Sequence, residues 1–265
     1  MTDTTAPMKS SDNPDLLVNV DNRILTVTFN RPDQRNAMTW EMYEALQGAC
    51  LATKDPAISA MVLRGAGDRA FVAGTDIAQF TDFDGDRGNE YERQVAAILG
   101  TLRAVDVPVI ASVQGYCVGG GLGIAACADV RVCSPESKFG VPIARTLGNC
   151  LSADTLGLLI ELLGRARTVD MLLQARFLSA DEVAESGFVS EITNDPDATA
   201  QQIAERVTDH APLTMWSVKE TVRRLGTASR EVEDSDIVHR IYDSEDFHGA
   251  VRSFLSKTPY TWTGR

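Results

Sequence analysis

The chemistry legible in this chain is concentrated at Gly119-Gly120-Gly121. These glycines separate an apolar, β-branched run at residues 107–113 from the small apolar run Ile124-Ala125-Ala126-Cys127. Glycine has no Cβ, so a ligand can come against the backbone, and the first turn of a helix offers NH groups without an internal partner. A strand, a glycine turn and a helix in that order attract negative charge, whether a phosphate or an oxygen that becomes anionic during reaction. Residues 121–126 also fit the G-x-G-x-x-A pattern of a dinucleotide turn. Against that fit, the strand ends near Val113, several residues early, and no βαβ unit with a closing acid follows. A third reading gives the glycines only a packing role, letting the helix lie close to its neighbours.

Other reactive side chains are sparse. The histidines are His210, His239 and His248, all in the C-terminal part, so nothing resembling a hydrolase triad is available around the glycines. The cysteines at 50, 117, 127, 133 and 150 lack metal-like or paired spacing and sit in apolar contexts, which points to small hydrophobes in a reducing cytoplasm. A net charge of -12 argues against nucleic acid or anionic lipid as a partner. No apolar leader region or apolar run of spanning length is present, so neither secretion nor membrane insertion is expected.

Two further segments precede the glycine turn: Asn30-Arg31-Pro32-Asp33-Gln34-Arg35-Asn36-Ala37-Met38 and Ala70-Phe71-Val72-Ala73-Gly74-Thr75-Asp76-Ile77-Ala78-Gln79-Phe80. With the turn itself, they resemble the crotonase superfamily, the enoyl-CoA hydratases and isomerases, from about Leu16 to Lys257-Thr258-Pro259. The resemblance implies an α/β fold: a crotonase-type spiral of ββα units over residues 16–197, then a helical oligomerisation region over 198–265. Residues 1–15, rich in Thr, Ser, Asp and Asn, are expected to be loosely attached. It further implies an enzyme that holds a thioester carbonyl between two backbone NH groups, here those of Thr75 and Gly120, while an enolate forms. Coenzyme A enters as part of the substrate, with no permanently bound cofactor and no metal. Its nucleotide is expected against Gln34, Arg35, Ala73, Thr75, Asp76 and Ile77, and its phosphates near Lys257. Arg31, Arg35, Arg64 and Arg69 are candidates for a local basic patch. The implied partners are an acyl-CoA and further copies of the chain, as a homotrimer or a hexamer built from two trimers.

The departures are as informative as the match. Hydratases of the family carry one glutamate three residues after the hole glycine and another in a Phe-Gly-x-Pro-Glu loop, and those positions here are Gly123 and Ile143. General acid or base help is commonly worth about 10² to 10⁴ in rate, and neither side chain provides it. Neither the two-glutamate hydratase route nor the one-glutamate isomerase route is therefore available in its usual form. Arg145 is expected near the acyl pocket, where it could bind a substrate carboxylate or orient an anion. Cys150 lacks the histidine or cation that would make it a nucleophile, and Asp76 reads as a structural loop acid. The space beside Gly123 is expected to take an anion, a water or a carboxylate of the substrate. The expected function is an acyl-CoA-processing enzyme of the hydratase/isomerase type, with hydration, isomerisation, decarboxylation and carbon-carbon cleavage left open. The alternatives are a non-catalytic acyl-CoA-binding homologue, or a decarboxylase or carbon-carbon lyase acting on a carboxylated acyl-CoA.

The elements that must position these residues follow from periodicity and caps. Strands are expected at 16–20 and 24–29 around an Asp21-Asn22 turn, then a helix capped by Thr39, and a buried strand at 60–63. Residues 81–89, dense in Asp and Gly, read as a mobile loop before a helix at 91–103. A strand at 129–133 and a helix at 152–163 follow, then a capping box at Ser179 and Glu182 that opens a helix ending at Gly187. Helices complete the chain at 198–209, 215–225 and 231–255, the last placing Ile237, Ile241, Phe247, Val251 and Phe254 on roughly one face.

Overall fold

The computed structural model describes residues 13–227 and 234–265. It opens with an antiparallel hairpin of β1 (Leu16–Asp21) and β2 (Ile24–Phe29), in which Val18 faces Val27. The turn falls at Asn22 and Arg23, whose φ values of 47° and 68° are left-handed, one residue later than the expected Asp21-Asn22. Two left-handed central residues match the twist of the strands they join. Next comes α1 (Trp40–Ala52), begun by Thr39, whose hydroxyl accepts from Met42 N at 3.3 Å.

Strands then arrive in pairs, each pair followed by helix. β3 (Ala60–Gly65) and β4 (Ala70–Ala73) lead to α2 (Gly85–Arg103), and β5 (Val109–Val113) and β6 (Tyr116–Val118) lead to α3 (Gly120–Cys127). β7 (Val130–Cys133) and β8 (Lys138–Gly140) lead to α4 (Ile143–Thr146), α5 (Ala153–Leu163) and α6 (Arg165–Leu173). After β9 (Leu178–Ser179), α7 (Ala180–Glu185) and β10 (Glu191–Ile192) come four helices: α8 (Pro196–Thr208), α9 (Pro212–Thr227), α10 (Ser235–Tyr242) and α11 (Glu245–Ser256). One sheet has the order β1-β2-β3-β5-β7-β10 and the other β4-β6-β8-β9, so each pair gives one strand to each sheet. That alternation is the ββα spiral. All pairings are parallel except β1 with β2 and β8 with β9.

β6 and β8 are not among the expected strands: residues 114–119 read as part of the glycine turn, and Lys138-Phe139-Gly140 as the lead into a loop containing Pro142. Three residues are too few to display alternation. The corner between β5 and β6 depends on Gly115, with φ of 68°, where an added Cβ would stand 2.2 Å from Arg69 O. No L side chain fits there.

Two expectations for the helices are corrected. Residues 81–89 are not one loop, because α2 starts at Gly85, with the Asp84 carboxylate accepting from Arg87 N at 2.9 Å. Its glycines serve close packing: a Cβ on Gly88 would lie 2.3 Å from the Tyr242 ring, and one on Gly85 2.4 Å from His239 Nδ1. Likewise the continuous 231–255 helix is broken at Asp243-Ser244, where the Ser244 hydroxyl accepts from Phe247 N at 3.0 Å and starts α11. The break divides the expected apolar stripe: Phe247 and Val251 are buried in the core, whereas Ile237 and Phe254 are about half exposed. Residues 231–233 lie outside the described residues, as do residues 1–12 of the expected loose N-terminus. Asp15 O accepts from Asn30 N at 2.7 Å.

The main core joins the inner faces of both sheets to α1, α2 and α3, through Phe29, Met42, Leu63, Phe71, Leu122 and Phe139. Each such side chain contributes about 1.5–3 kcal/mol when fully buried. α9 leaves Leu213, Trp216, Val218, Val222 and Leu225 exposed. No helix among the described residues is long and apolar enough to cross a membrane.

Candidate active site

The register of the second sheet determines what meets at its end. Ala73 of β4 pairs with Val118 of β6, and Val118 pairs with Gly140 of β8. Adjacent strands lie about 4.8 Å apart. Two residues beyond these aligned positions stand Thr75, Gly120 and Pro142 on three neighbouring chains. Gly74 and Gly119, with φ of 97° and 56°, turn the first two chains out of the sheet. Thr75 forms a parallel bridge with Met38 in which Met38 N donates to Gly74 O and Asp76 N to Met38 O, both at 2.8 Å. The bridge does not engage the Thr75 amide. Gly120 is the first residue of α3, so its amide has no carbonyl one turn earlier to bond.

Both residues border a cavity of about 210 Å³, lined mostly by apolar residues such as Ile77, Phe80, Val95, Leu99, Val141 and Ile143. Phe254 of α11 also reaches it, so the C-terminal helices cover their own core. Gly121 and Gly123 lie inside α3 rather than in a loop ahead of it, which removes the dinucleotide-turn reading. The three glycine roles are distinct. A Cβ on Gly121 would stand 2.1 Å from Val72 O, so that residue is there for packing, as the third reading held. A Cβ on Gly120 would stand 2.5 Å from the Tyr43 hydroxyl, whereas one on Gly123 would meet only Leu99 Cδ1 at 3.3 Å and Thr155 Cγ2 at 3.9 Å.

Beside the amides runs a chain of hydroxyls: Tyr43 to Thr75 Oγ1 at 3.0 Å, and Thr75 Oγ1 to Tyr91 at 2.8 Å. It ties the Thr75 loop to α1 and α2. Burial pushes the Tyr43 phenol up to about 12 and Tyr91 well above its ordinary value, so both keep their protons. Next to Tyr91, Glu92 lines the same cavity and is buried. Its carboxylate accepts from Ser152 N and from the Tyr242 hydroxyl, each at 3.1 Å. Burial pushes it up to about 7, with those two bonds opposing the rise.

Of the residues expected at the site, Ala73, Thr75, Ile77, Gly120, Gly123 and Ile143 line this cavity together. Asp76 is a structural acid: it caps the single 3-10 turn Ile77–Phe80 and pairs with Arg31 at 3.1 Å. Arg31 also donates to Ala37 O at 2.7 Å, Arg64 pairs with Asp197 at 3.2 Å, and Arg69 pairs with Asp33 at 3.5 Å. Three of the four candidate arginines are thus engaged by carboxylates. Arg35, left-handed with φ of 51°, follows Gln34 at the end of a 3-10 turn and sets its guanidinium 5.1 Å from the Tyr116 ring centre. Lys257 is the exposed, left-handed C-cap of α11. Arg145 does not reach the acyl pocket: it is exposed and absent from the cavity lining. Ile143, Thr146 and Leu147 turn one face of this short helix to the cavity, and residue 145 falls on the other. Cys150 lines the cavity, but burial pushes its thiol up to about 12, so no thiolate nucleophile forms. Neighbouring Asn149 has a buried Oδ1 without a hydrogen-bond partner.

Sequence reasoning missed Tyr43, Tyr91, Glu92 and Phe254. A signal for Glu92 existed, because an acid at position 92 shares a helical face with Val95, Leu99 and Leu102. The two tyrosines gave none, since buried tyrosines are ordinary core residues until their partners are known.

A family model described as enoyl-CoA hydratase/isomerase matches residues 19–265. A mevalonyl-coenzyme A hydratase of Aspergillus fumigatus is 30% identical over 251 residues, covering 90% of this chain and 91% of its own length. The 2,3-dehydroadipyl-CoA hydratase of Escherichia coli is 29% identical over 259 residues, covering 95% and 99%. Among solved structures, an enoyl-CoA hydratase/carnithine racemase from Magnetospirillum magneticum superposes with a TM-score of 0.78 at 31% identity, over 97% of each chain.

Proposed function

The chain belongs to the enoyl-CoA hydratase/isomerase family, and from that premise we propose that it binds an acyl-CoA and stabilises the enolate of its thioester between the amides of Thr75 and Gly120. The observation that supports this reading is that Thr75 and Gly120, just beyond the ends of adjacent parallel strands, border one apolar cavity. Backbone donors aimed at a developing oxyanion typically contribute about 2.7–4 kcal/mol each to the transition state, and they do so whatever side chain they carry. The acyl chain lies among Val95, Leu99, Val141 and Ile143. In this reading the nucleotide part of coenzyme A runs past Ala73, Asp76 and Ile77 toward Gln34 and Arg35, with Lys257 beside its phosphates. Full-length copies assemble through the exposed apolar face of α9 as a trimer, or as a hexamer of two trimers.

The second reading, an acyl-CoA-binding homologue without turnover, is favoured by Gly123 and Ile143 at the cavity wall, where neither side chain can move a proton. Calorimetric titration with butyryl-CoA and with NADH, followed by mass analysis of a panel of acyl-CoAs, separates the possibilities. Binding of butyryl-CoA but not NADH, with conversion of at least one acyl-CoA, is expected. Binding without any conversion leaves the second reading, and no affinity for any coenzyme A derivative removes both.

A further inference from the structure

Glu92 is the only carboxylate among the described residues that line the acyl cavity, and it comes from a helix that supplies no glutamate in the family pattern read from the sequence. Its position relative to the vacated glutamate site is specific. Val95 and Leu99, three and seven residues after Glu92, line the cavity with it as one face of α2. Leu99 is the first atom group that a side chain on Gly123 would touch, and Thr155 is the second. Thr155 Oγ1 accepts from Ser152 Oγ at 3.1 Å, and Ser152 N donates to Glu92. The two neighbours of the Gly123 position, Leu99 and Thr155, are therefore tied to Glu92, one along α2 and the other through Ser152. The two bonds that Glu92 accepts leave about half the lone pairs of a carboxylate unused.

Resting on the acyl-CoA reading above, we infer that Glu92 replaces the missing glutamates as the general acid and base that moves the α-proton of the bound acyl group. Its carboxylate takes the proton from the α-carbon as the C–H bond breaks. The electron pair passes into the bond to the thioester carbon, and the charge settles on the thioester oxygen between the Thr75 and Gly120 amides. Glu92 then returns the proton to carbon, so no oxidant, metal or second substrate is needed. Glu92 also borders a second, open cleft lined by Asp86, Glu90, Asp154, Asp234 and Asp236. An acid between an apolar cavity and an open, acidic cleft can exchange its proton between turnovers. Facing it are Tyr242 of α10, Asp234 at the start of α10, Cys150 ahead of α5, Tyr43 of α1 and its own neighbour Tyr91. Asp234 raises its affinity for the proton, and the hydrogen bond from Tyr242 opposes that.

The test is exchange of the α-protons of butyryl-CoA in D2O, followed by mass spectrometry from pH 5.5 to 8.5, with calorimetric affinity and thermal melting measured on the same samples. Wild-type exchange is expected to rise through about pH 7, as the carboxyl ionises. Glu92→Gln is expected to lose about 100-fold or more of it while binding butyryl-CoA within about threefold of wild type, and Glu92→Asp to keep a measurable part. A purely structural Glu92 predicts the opposite split, with melting lowered and exchange tracking the folded fraction. Exchange by Glu92→Gln within about threefold of wild type at retained affinity overturns the assignment. So does wild-type exchange that is flat over this range, or a wild type that binds butyryl-CoA but exchanges no faster than buffer; these need no folded variant. Failure of wild type to bind butyryl-CoA would remove the acyl-CoA reading itself.

Discussion

One wall of the cavity is built by Thr75 and Gly120 just beyond the ends of β4 and β6, while another offers side chains from α2, α4 and the segment leading into α5. The backbone wall is set by register and by two left-handed glycines, so any chain that forms these strands recreates it. By contrast the side-chain wall can be rewritten one residue at a time: Gly123 and Ile143, which the family resemblance aligns with acids, line it here, and its one carboxylate among the described residues comes from α2. In the proposed reaction, stabilising charge on the thioester oxygen falls to the backbone that the fold sets. Moving the proton is a property of the individual sequence.

The largest expected effect breaks the backbone wall. Gly120→Val places a branched side chain where a Cβ would already stand 2.5 Å from the Tyr43 hydroxyl, displacing the Thr75 loop that this tyrosine holds. Loss of one donor corresponds to about 2.7–4 kcal/mol, so α-proton exchange should fall about 100- to 1000-fold in a protein that still folds, as judged by circular dichroism.

The side-chain wall is probed next, through stability rather than rate. The Glu92 carboxyl is raised from an ordinary 4.5 to about 7 in the folded chain. A raised acid binds more protons when folded, so its contribution is most favourable below pH 4.5, declines as pH rises to about 7 and is constant above. Glu92→Gln, which cannot ionise, should therefore be matched with wild type near pH 4.5 and more stable by on the order of 3 kcal/mol at pH 8. Urea titrations at the two pH values measure it, and an equal difference at both would contradict the burial of a charge. A gain in stability with a loss of exchange is what a group retained for function predicts.

Smaller again is Tyr43→Phe, which removes one hydroxyl from the chain leading to Thr75. About 1 kcal/mol of stability and a several-fold slower exchange are expected from loss of one hydrogen bond. Least of all is Arg145→Ala. Because Arg145 is exposed and outside the cavity, its replacement should change stability and butyryl-CoA affinity by less than about 0.5 kcal/mol.

How far the sequence could be read follows the same division. Caps and long periodic elements were legible: Thr39 and Ser179 begin helices, and the helix expected at 152–163 runs over Ala153–Leu163. The capping box of Ser179 and Glu182 forms with both reciprocal bonds. Glycines were read poorly where tertiary packing decides their meaning. Gly85 and Gly88 looked like a loop, yet they exist because Tyr242 and His239 come from over 150 residues away to lie against them. The family motif singled out Thr75 and Gly120, and both line the cavity. It misplaced Arg145, whose direction depends on how a four-residue helix is rotated. It also passed over Glu92, whose role depends on a cavity formed by α2, α3 and α5 together.

The account turns on a single acyl group being held by one wall and deprotonated from the other. A crystal structure with bound butyryl-CoA tests this most directly. The prediction is a thioester oxygen about 2.7–3.1 Å from both the Thr75 and Gly120 nitrogens, with the α-carbon turned toward the Glu92 carboxyl. A thioester bound elsewhere, or one whose oxygen meets neither amide, would contradict it.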